Sequence, residues 1–147
     1  MKAELIKEAF KLNFDISRLR RKFFDSSYEM SRSEFELLDY VVELEEKDEK
    51  QTISEVATEL NISNAAVSRT IKHLLAKGWL FRETLEEDRR NGIIKISDEG
   101  RKIYEVTNAR FNKQIEAGFK NVKEEQLEQF IAISRELIEG LGKSSEC

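Results

Sequence analysis

The chain contains no proline, six glycines, one cysteine and one histidine in 147 residues. Proline breaks helices most strongly and glycine next, so their scarcity argues against a loop-rich or all-β fold and for a mainly helical one. The single thiol, Cys147, excludes an internal disulfide framework, and no basic residue stands near it in sequence to lower its pKa for redox work. The single imidazole, His73, leaves an all-protein zinc site short of ligands, so no metal and no cofactor is expected. No apolar run approaches the roughly 18 residues of a membrane span, and "MKAELIKEAFK" carries acids where a signal sequence would have its apolar core. The expectation is a cytoplasmic protein without membrane association. With no phosphate-cradling glycine loop either, little is left to catalyse with, and an enzyme is not expected.

One further absence is local. From Leu60 to Arg82 there is no Asp or Glu, although the chain has 29 of them and a window of that length would hold about four or five by chance. Arg69, Lys72, Lys77 and Arg82 lie in the same window, in a protein of formal net charge -4. A local excess of one sign against the global trend marks where a partner of the other sign sits. By contrast, residues 31–50 hold three basic and eight acidic residues, a solvated acidic face.

Hydrophobic residues make up 39% and charged residues 37%, with nine Phe, which places the chain among globular proteins of one domain, 1–147. A first helix is predicted from about Ala3 to Asp25. Its Leu5, Ala9, Leu12, Ile16, Leu19 and Phe23 step by four and three, a seam for another helix, and Ile6, Phe10 and Phe24 form a second edge. Ser31 with Glu34 is a capping-box pattern for a second helix to about Glu46, and Thr52 with Glu55 repeats it for a short third helix through Leu60. Asn61 tolerates the left-handed region and Ser63 is a good N-cap, so residues 53–77 read as helix, tight turn, helix.

After the stop signal at Gly78, "WLFRETLE" and "GIIKIS" read as two strands, with Ile94 and Ile96 inward, joined by "EDRRN" and the turn chemistry of Asn91-Gly92. Ser97, followed by Asp98 and Glu99, starts a fifth helix carrying Ile103, Val106, Phe111, Ile115 and Phe119. A sixth carries Leu127, Phe130, Ser134, Leu137 and Leu141, widened by Ile131 and Ile138. The fold class expected is mainly α with a small β-hairpin wing: a winged helix-turn-helix lobe over 31–100, with helical dimerisation segments at 1–30 and 101–147.

In a winged helix-turn-helix the second helix of the motif suits the major groove of double-stranded DNA. A carboxylate there would face phosphates, whereas Arg69, Lys72 and Lys77 neutralise them. Ser63, Asn64, Ala65, Ser68 and Arg69 lie at the helix start, where small or hydrogen-bonding side chains approach bases. Val67, Ile71, Leu74 and Leu75 form the opposite, buried face. His73 reads equally as a phosphate contact or a plain exposed residue.

From about Ser31 to Gly100 the chain resembles the MarR family of winged-helix transcriptional regulators, and the flanking helices agree with that family. "DRRNGIIKISDEG", Asp88 to Gly100, matches the family's wing signature of Asp-x-Arg, a short spacer, apolar-x-apolar, Ser or Thr, and a Gly three further on. "TISEVATELNISNAAVSRTIKHLLAKGWL" matches as well, including Ala57 and Gly78. The resemblance implies a repressor that binds a pseudo-palindromic operator as a homodimer through its first, fifth and sixth helices. The apolar seams near both termini, more than one small lobe covers, support a dimer independently. In such a dimer Arg89 and Arg90 at the wing tip reach a minor groove, and Asp88 orients an arginine.

Relatives often bind phenolic or lipophilic compounds, which extends the expectation to release by a small aromatic or lipophilic effector. Phe10, Phe14, Tyr28 and Phe35, with Arg18 of "SRLRRK" as an anion-binding edge, are the candidate pocket; the plainer reading is core aromatics and a solvated helix face. Some relatives sense oxidants through a Cys near the first helix, where this chain has none. The alternative function is a winged-helix module that binds protein without sequence-specific DNA recognition.

Overall fold

The computed structural model describes residues 1–24, 27–85 and 88–145; of 84, 85, 88–91 and 145 the backbone alone is described. Six helices and one hairpin follow in the order α1 (Lys2–Lys22), α2 (Arg32–Glu46), α3 (Ile53–Leu60), α4 (Asn64–Ala76), β1 (Leu80–Leu85), β2 (Asp88–Ile96), α5 (Asp98–Gly118) and α6 (Glu124–Ser145). Met1–Phe111 form one compact unit and Asn112–Cys147 a second.

Local chemistry sets the helix starts. The Ser31 hydroxyl accepts from the Glu34 N–H while the Glu34 carboxylate accepts from the Ser31 N–H, closing the capping box and satisfying two orphan donors of α2. Thr52 accepts from the Glu55 N–H, and Ser63 from the Ala66 N–H. Between α3 and α4, Asn61 takes φ 55° and ψ 45°, the left-handed conformation that lets the chain reverse within three residues. Gly78, at φ 76°, ends the α4 segment in the same way.

The core of the first unit lies where α2, α3, α4 and the hairpin meet. Leu38, Val67 and Leu74 are fully enclosed, each from a different side of that meeting point or a different turn of α4. Burying a side chain of this size stabilises by about 1.5–3 kcal/mol, which makes these three the centre of the lobe's stability. The start of α5 is fixed by close approach. Ser97 donates its hydroxyl to the Gly78 carbonyl at 2.6 Å and accepts from the Gly100 N–H at 3.0 Å. Gly100 sits so near Trp79 that an added Cβ would lie 2.1 Å from the Trp79 carbonyl oxygen.

Two expectations change in structural detail. The strand β2 begins at Asp88, and Leu85 pairs with Asp88, so Asn91 and Gly92 lie within a strand rather than at the hairpin turn. Between the pairs Glu83↔Ile93 and Leu85↔Asp88 the register shifts, because β2 spends more residues there than β1. Ile93 is accordingly buried along with Ile96. On α5 the buried residues are Gly100, Tyr104 and Thr107, whereas Val106 is exposed. A polar-tipped tyrosine is buried here because its hydroxyl finds a partner, donating to the Asp39 carboxylate at 2.5 Å. Burial, and then that hydrogen bond to a carboxylate, push the Tyr104 phenol above its ordinary value.

Candidate nucleic-acid interface

The sequence of α4 divides its surface in two. Val67, Ile71 and Leu74 face the core, while Ala65, Ser68, Arg69 and Lys72 are exposed. The exposed four are spaced i, i+3, i+4, i+7, which aligns them along one side of a helix. Ser63 and Asn64, at the N-terminus, and His73, at the edge of the stripe, are exposed too. The structure thus brings seven of the predicted contact residues onto one open surface with no carboxylate among them. Helix N-terminal N–H groups add partial positive charge at the same end.

Lys77 behaves differently. Its ammonium lies 2.6 Å from the Glu34 carboxylate of α2 and 4.6 Å from the centroid of the Trp79 ring. Glu34 has only 10% of its side chain exposed. Burial acts to raise its pKa, but the hydrogen bond and charge of Lys77 and the Ser31 N–H outweigh that and hold the carboxyl below its ordinary value. Lys77 therefore ties α4 to α2, while 39% of its side chain stays exposed. Sequence spacing gives no sign of this pair, since the partners are 43 residues apart.

On the wing, the side chains of Asp88, Arg89 and Arg90 lie outside the described residues, as does Cys147; the backbone of 88–90 is strand. The hairpin is braced below its tip by Lys95 and Glu83, 2.6 Å apart, each favouring the charged form of the other. Arg82 is exposed on β1. The wing is joined to α2 by Glu45, which accepts from the Ile96 N–H at 3.0 Å and from Arg101 at 2.7 Å.

The residues predicted to line an effector pocket separate into two places. Phe10, Phe14 and Arg18 border an open groove of about 390 Å³ whose walls come from α1 alone, and the two rings meet edge to face at 5.2 Å. Tyr28 and Phe35 are instead buried in an aromatic cluster with Phe24, Tyr104 and Phe111, at ring separations of 4.8–5.7 Å. Arg110 closes that cluster, its guanidinium 3.9 Å from the Tyr28 ring centroid. The ring between Tyr28 and Phe35 is that of Phe24, and two α5 rings, Tyr104 and Phe111, pack on Phe35 from a helix distant in sequence.

Helix, left-handed turn, exposed helix and paired wing make this a winged-helix protein. The model of the MarR family matches residues 28–91. The uncharacterized HTH-type transcriptional regulator YdgJ of Bacillus subtilis is 28% identical over 103 residues, 70% of this chain and 60% of its own length. A second such regulator from that organism, YwoH, is 32% identical over 84 residues, 57% of this chain and 61% of its own length. The chain thus spans about three-fifths of the length of these curated relatives. Staphylococcus aureus MarR in complex with salicylate and kanamycin shares the fold with a TM-score of 0.81, at 20% identity, over 95% of this chain and 94% of that one. The match to the MarR family model thus falls within residues 28–91, the greater part of the winged-helix lobe.

Proposed function

We propose that this chain is a DNA-binding transcriptional regulator, a repressor that binds a pseudo-palindromic operator as a homodimer in the cytoplasm. The observation that carries the reading is the open face of α4: Ala65, Ser68, Arg69 and Lys72 stand opposite the core, in a stretch of 23 residues without an acid. Small residues let the helix backbone approach base edges, and the two cations neutralise phosphates on either side of the groove. Asn64, at the helix start, has the amide that pairs with adenine, and Arg69 the fork that pairs with guanine. Arg89 and Arg90 would enter the adjacent minor groove, with Asp88 orienting one of them.

The dimer is supported by apolar surface left open. None of the residues of α1 is buried, and Leu5, Leu12, Ile16 and Leu19 each expose half or more of their area. In the second unit, Phe130, Ile131, Leu137, Ile138 and Leu141 of α6 are exposed as well. An exposed apolar stripe on a helix of either unit marks an interface. No helix among the described residues is long and apolar enough to cross a membrane. A two-fold dimer then explains a pseudo-palindromic site, with recognition helices about 34 Å apart. Release by a small aromatic or lipophilic effector completes the reading, with the Phe10, Phe14 and Arg18 groove of α1 as its place in the fold.

The test is fluorescence anisotropy against duplexes selected from a random pool, at several salt concentrations, with Arg69→Ala beside the parent protein. Palindrome-selective binding with a steep negative salt dependence that flattens in the variant supports the reading. Weak binding without sequence preference at every salt concentration refutes it and favours a protein-interaction module.

A further inference from the structure

A second cavity lies inside the winged-helix lobe, away from the α1 groove and from the exposed face of α4. It measures about 320 Å³ and opens between the end of α2, the loop into α3 and the strand β2. Its floor is apolar: Val41 and Leu44 from α2, Ile53 and Val56 from α3, Ile71 from the inner side of α4 and Ile93 from β2. An apolar cavity of about 150 Å³ holds benzene, so this one accommodates a body of roughly two fused rings.

The mouth is polar, and most of its charges are already used. Glu45 is held by Arg101 and the Ile96 N–H, Lys95 by Glu83, and Gln51 accepts from the Tyr40 hydroxyl at 2.5 Å. Three further charged side chains of the rim, the carboxylates of Asp48 and Glu49 and the ammonium of Lys50, make no hydrogen bond or close ion pair among the described residues, though Asp48 lies within electrostatic reach of Lys95, Glu49 of Lys47 and Lys50 of Glu83. Asp48 sits at φ 52°, at the turn that brings this run around the opening. The run Asp48, Glu49 and Lys50 at the mouth is therefore net negative over an apolar floor.

We propose that this cavity binds a small amphipathic cation, an apolar body of about two rings carrying an ammonium group that the Asp48 and Glu49 carboxylates receive at the mouth. Desolvating the rings drives entry, and the carboxylates select the sign of the head group. The site is lined by β2 and by Ile71 of α4, so an occupant touches both elements that the proposed function sets against DNA. The binding itself does not depend on that function.

The experiment titrates three probes of one shape into the isotopically labelled full chain without DNA: 1-naphthylmethylammonium, 1-naphthylmethanol and 1-naphthoate. Amide shifts are followed by two-dimensional NMR. The expected result is shifts concentrated at residues 41–56 and 93–96, with the cation bound at least about tenfold more tightly than the anion. In the Asp48→Asn/Glu49→Gln variant the cation loses that advantage while the neutral alcohol binds as before, which also shows that the variant is folded. Shifts confined to α1 or absent, anion binding as tight as cation binding, or a charge preference that survives the double substitution would each overturn the proposal.

Discussion

The Glu34 carboxylate accepts from the Lys77 ammonium at 2.6 Å, and with that one contact the start of α2 is tied to the end of α4. Glu34 has a second task, since its other hydrogen bond closes the α2 capping box through the Ser31 N–H. Replacing it with Gln keeps the shape and weakens both. Because the folded pKa of Glu34 is depressed, its contribution to stability is present above the unfolded value, near 4.5, and is lost as pH falls through the folded value. Glu34→Gln is expected to unfold about 1–2 kcal/mol more easily than the parent at pH 7. The gap should narrow once both are measured below about pH 4. Urea denaturation at the two pH values checks this, and a gap that does not depend on pH would contradict it.

The same contact separates Lys77 from its neighbours on α4. An exposed cation that meets a phosphate contributes about one unit to the slope of log K against log salt. Arg69→Ala and Lys72→Ala are each expected to flatten the slope by roughly that amount. Lys77→Met keeps an unbranched side chain, removes the ammonium that lies over the Trp79 ring, and is expected to leave the slope nearly unchanged while lowering stability. Equal slope losses for all three variants would show that Lys77 leaves Glu34 to bind DNA.

Much of the lobe was legible because its signals are local. Ser31, Thr52 and Ser63 cap the helices that follow them, and Asn61 adopts the left-handed turn its side chain tolerates. The open face of α4 was legible for a compositional reason, since the acid-free stretch is visible without coordinates. The failures all needed partners distant in sequence. Asn91-Gly92 has strong turn chemistry, yet pairing with β1 carries it into a strand, where a Cβ on Gly92 would sit 3.4 Å from the Glu83 carbonyl. Tyr28 and Phe35 read from sequence either as pocket walls or as core aromatics, and the Phe111 and Tyr104 rings that pack against Phe35 come from a distant helix. The lobe cavity, formed by α2, the loop after it, α3, α4 and β2, left no pattern in any one of them.

Gly100 provides a test of how α5 is docked. Its Cα hydrogen faces the Trp79 carbonyl, and a methyl group there must displace backbone, which cannot yield as a side-chain tip does. Gly100→Ala is expected to cost about 3 kcal/mol despite the better helix propensity of alanine. Ser97→Ala, which removes the hydroxyl bridging the Gly78 carbonyl and the Gly100 N–H, is expected to cost about 1 kcal/mol. Chemical denaturation of the two variants should reproduce that order. A stabilised Gly100→Ala protein would mean that α5 sits further from Trp79 than the structure places it.

The apolar seam of α1 makes the strongest demand on the proposed assembly. Ile16 and Leu19 expose about half of their surface, and neither belongs to the buried core of the first unit, so a charge placed there should not unfold the lobe. Ile16→Glu/Leu19→Glu is expected to shift sedimentation from a dimer to a monomer of about 17.2 kDa while the helical circular dichroism is kept. Because a dimer gains its operator affinity by engaging two half-sites at once, the monomer should lose at least about a hundredfold in operator binding yet keep its preference for the half-site sequence. A variant that stays dimeric would move the interface away from this seam. One that becomes monomeric and binds the operator as tightly as the parent would break the link between the dimer and the palindrome.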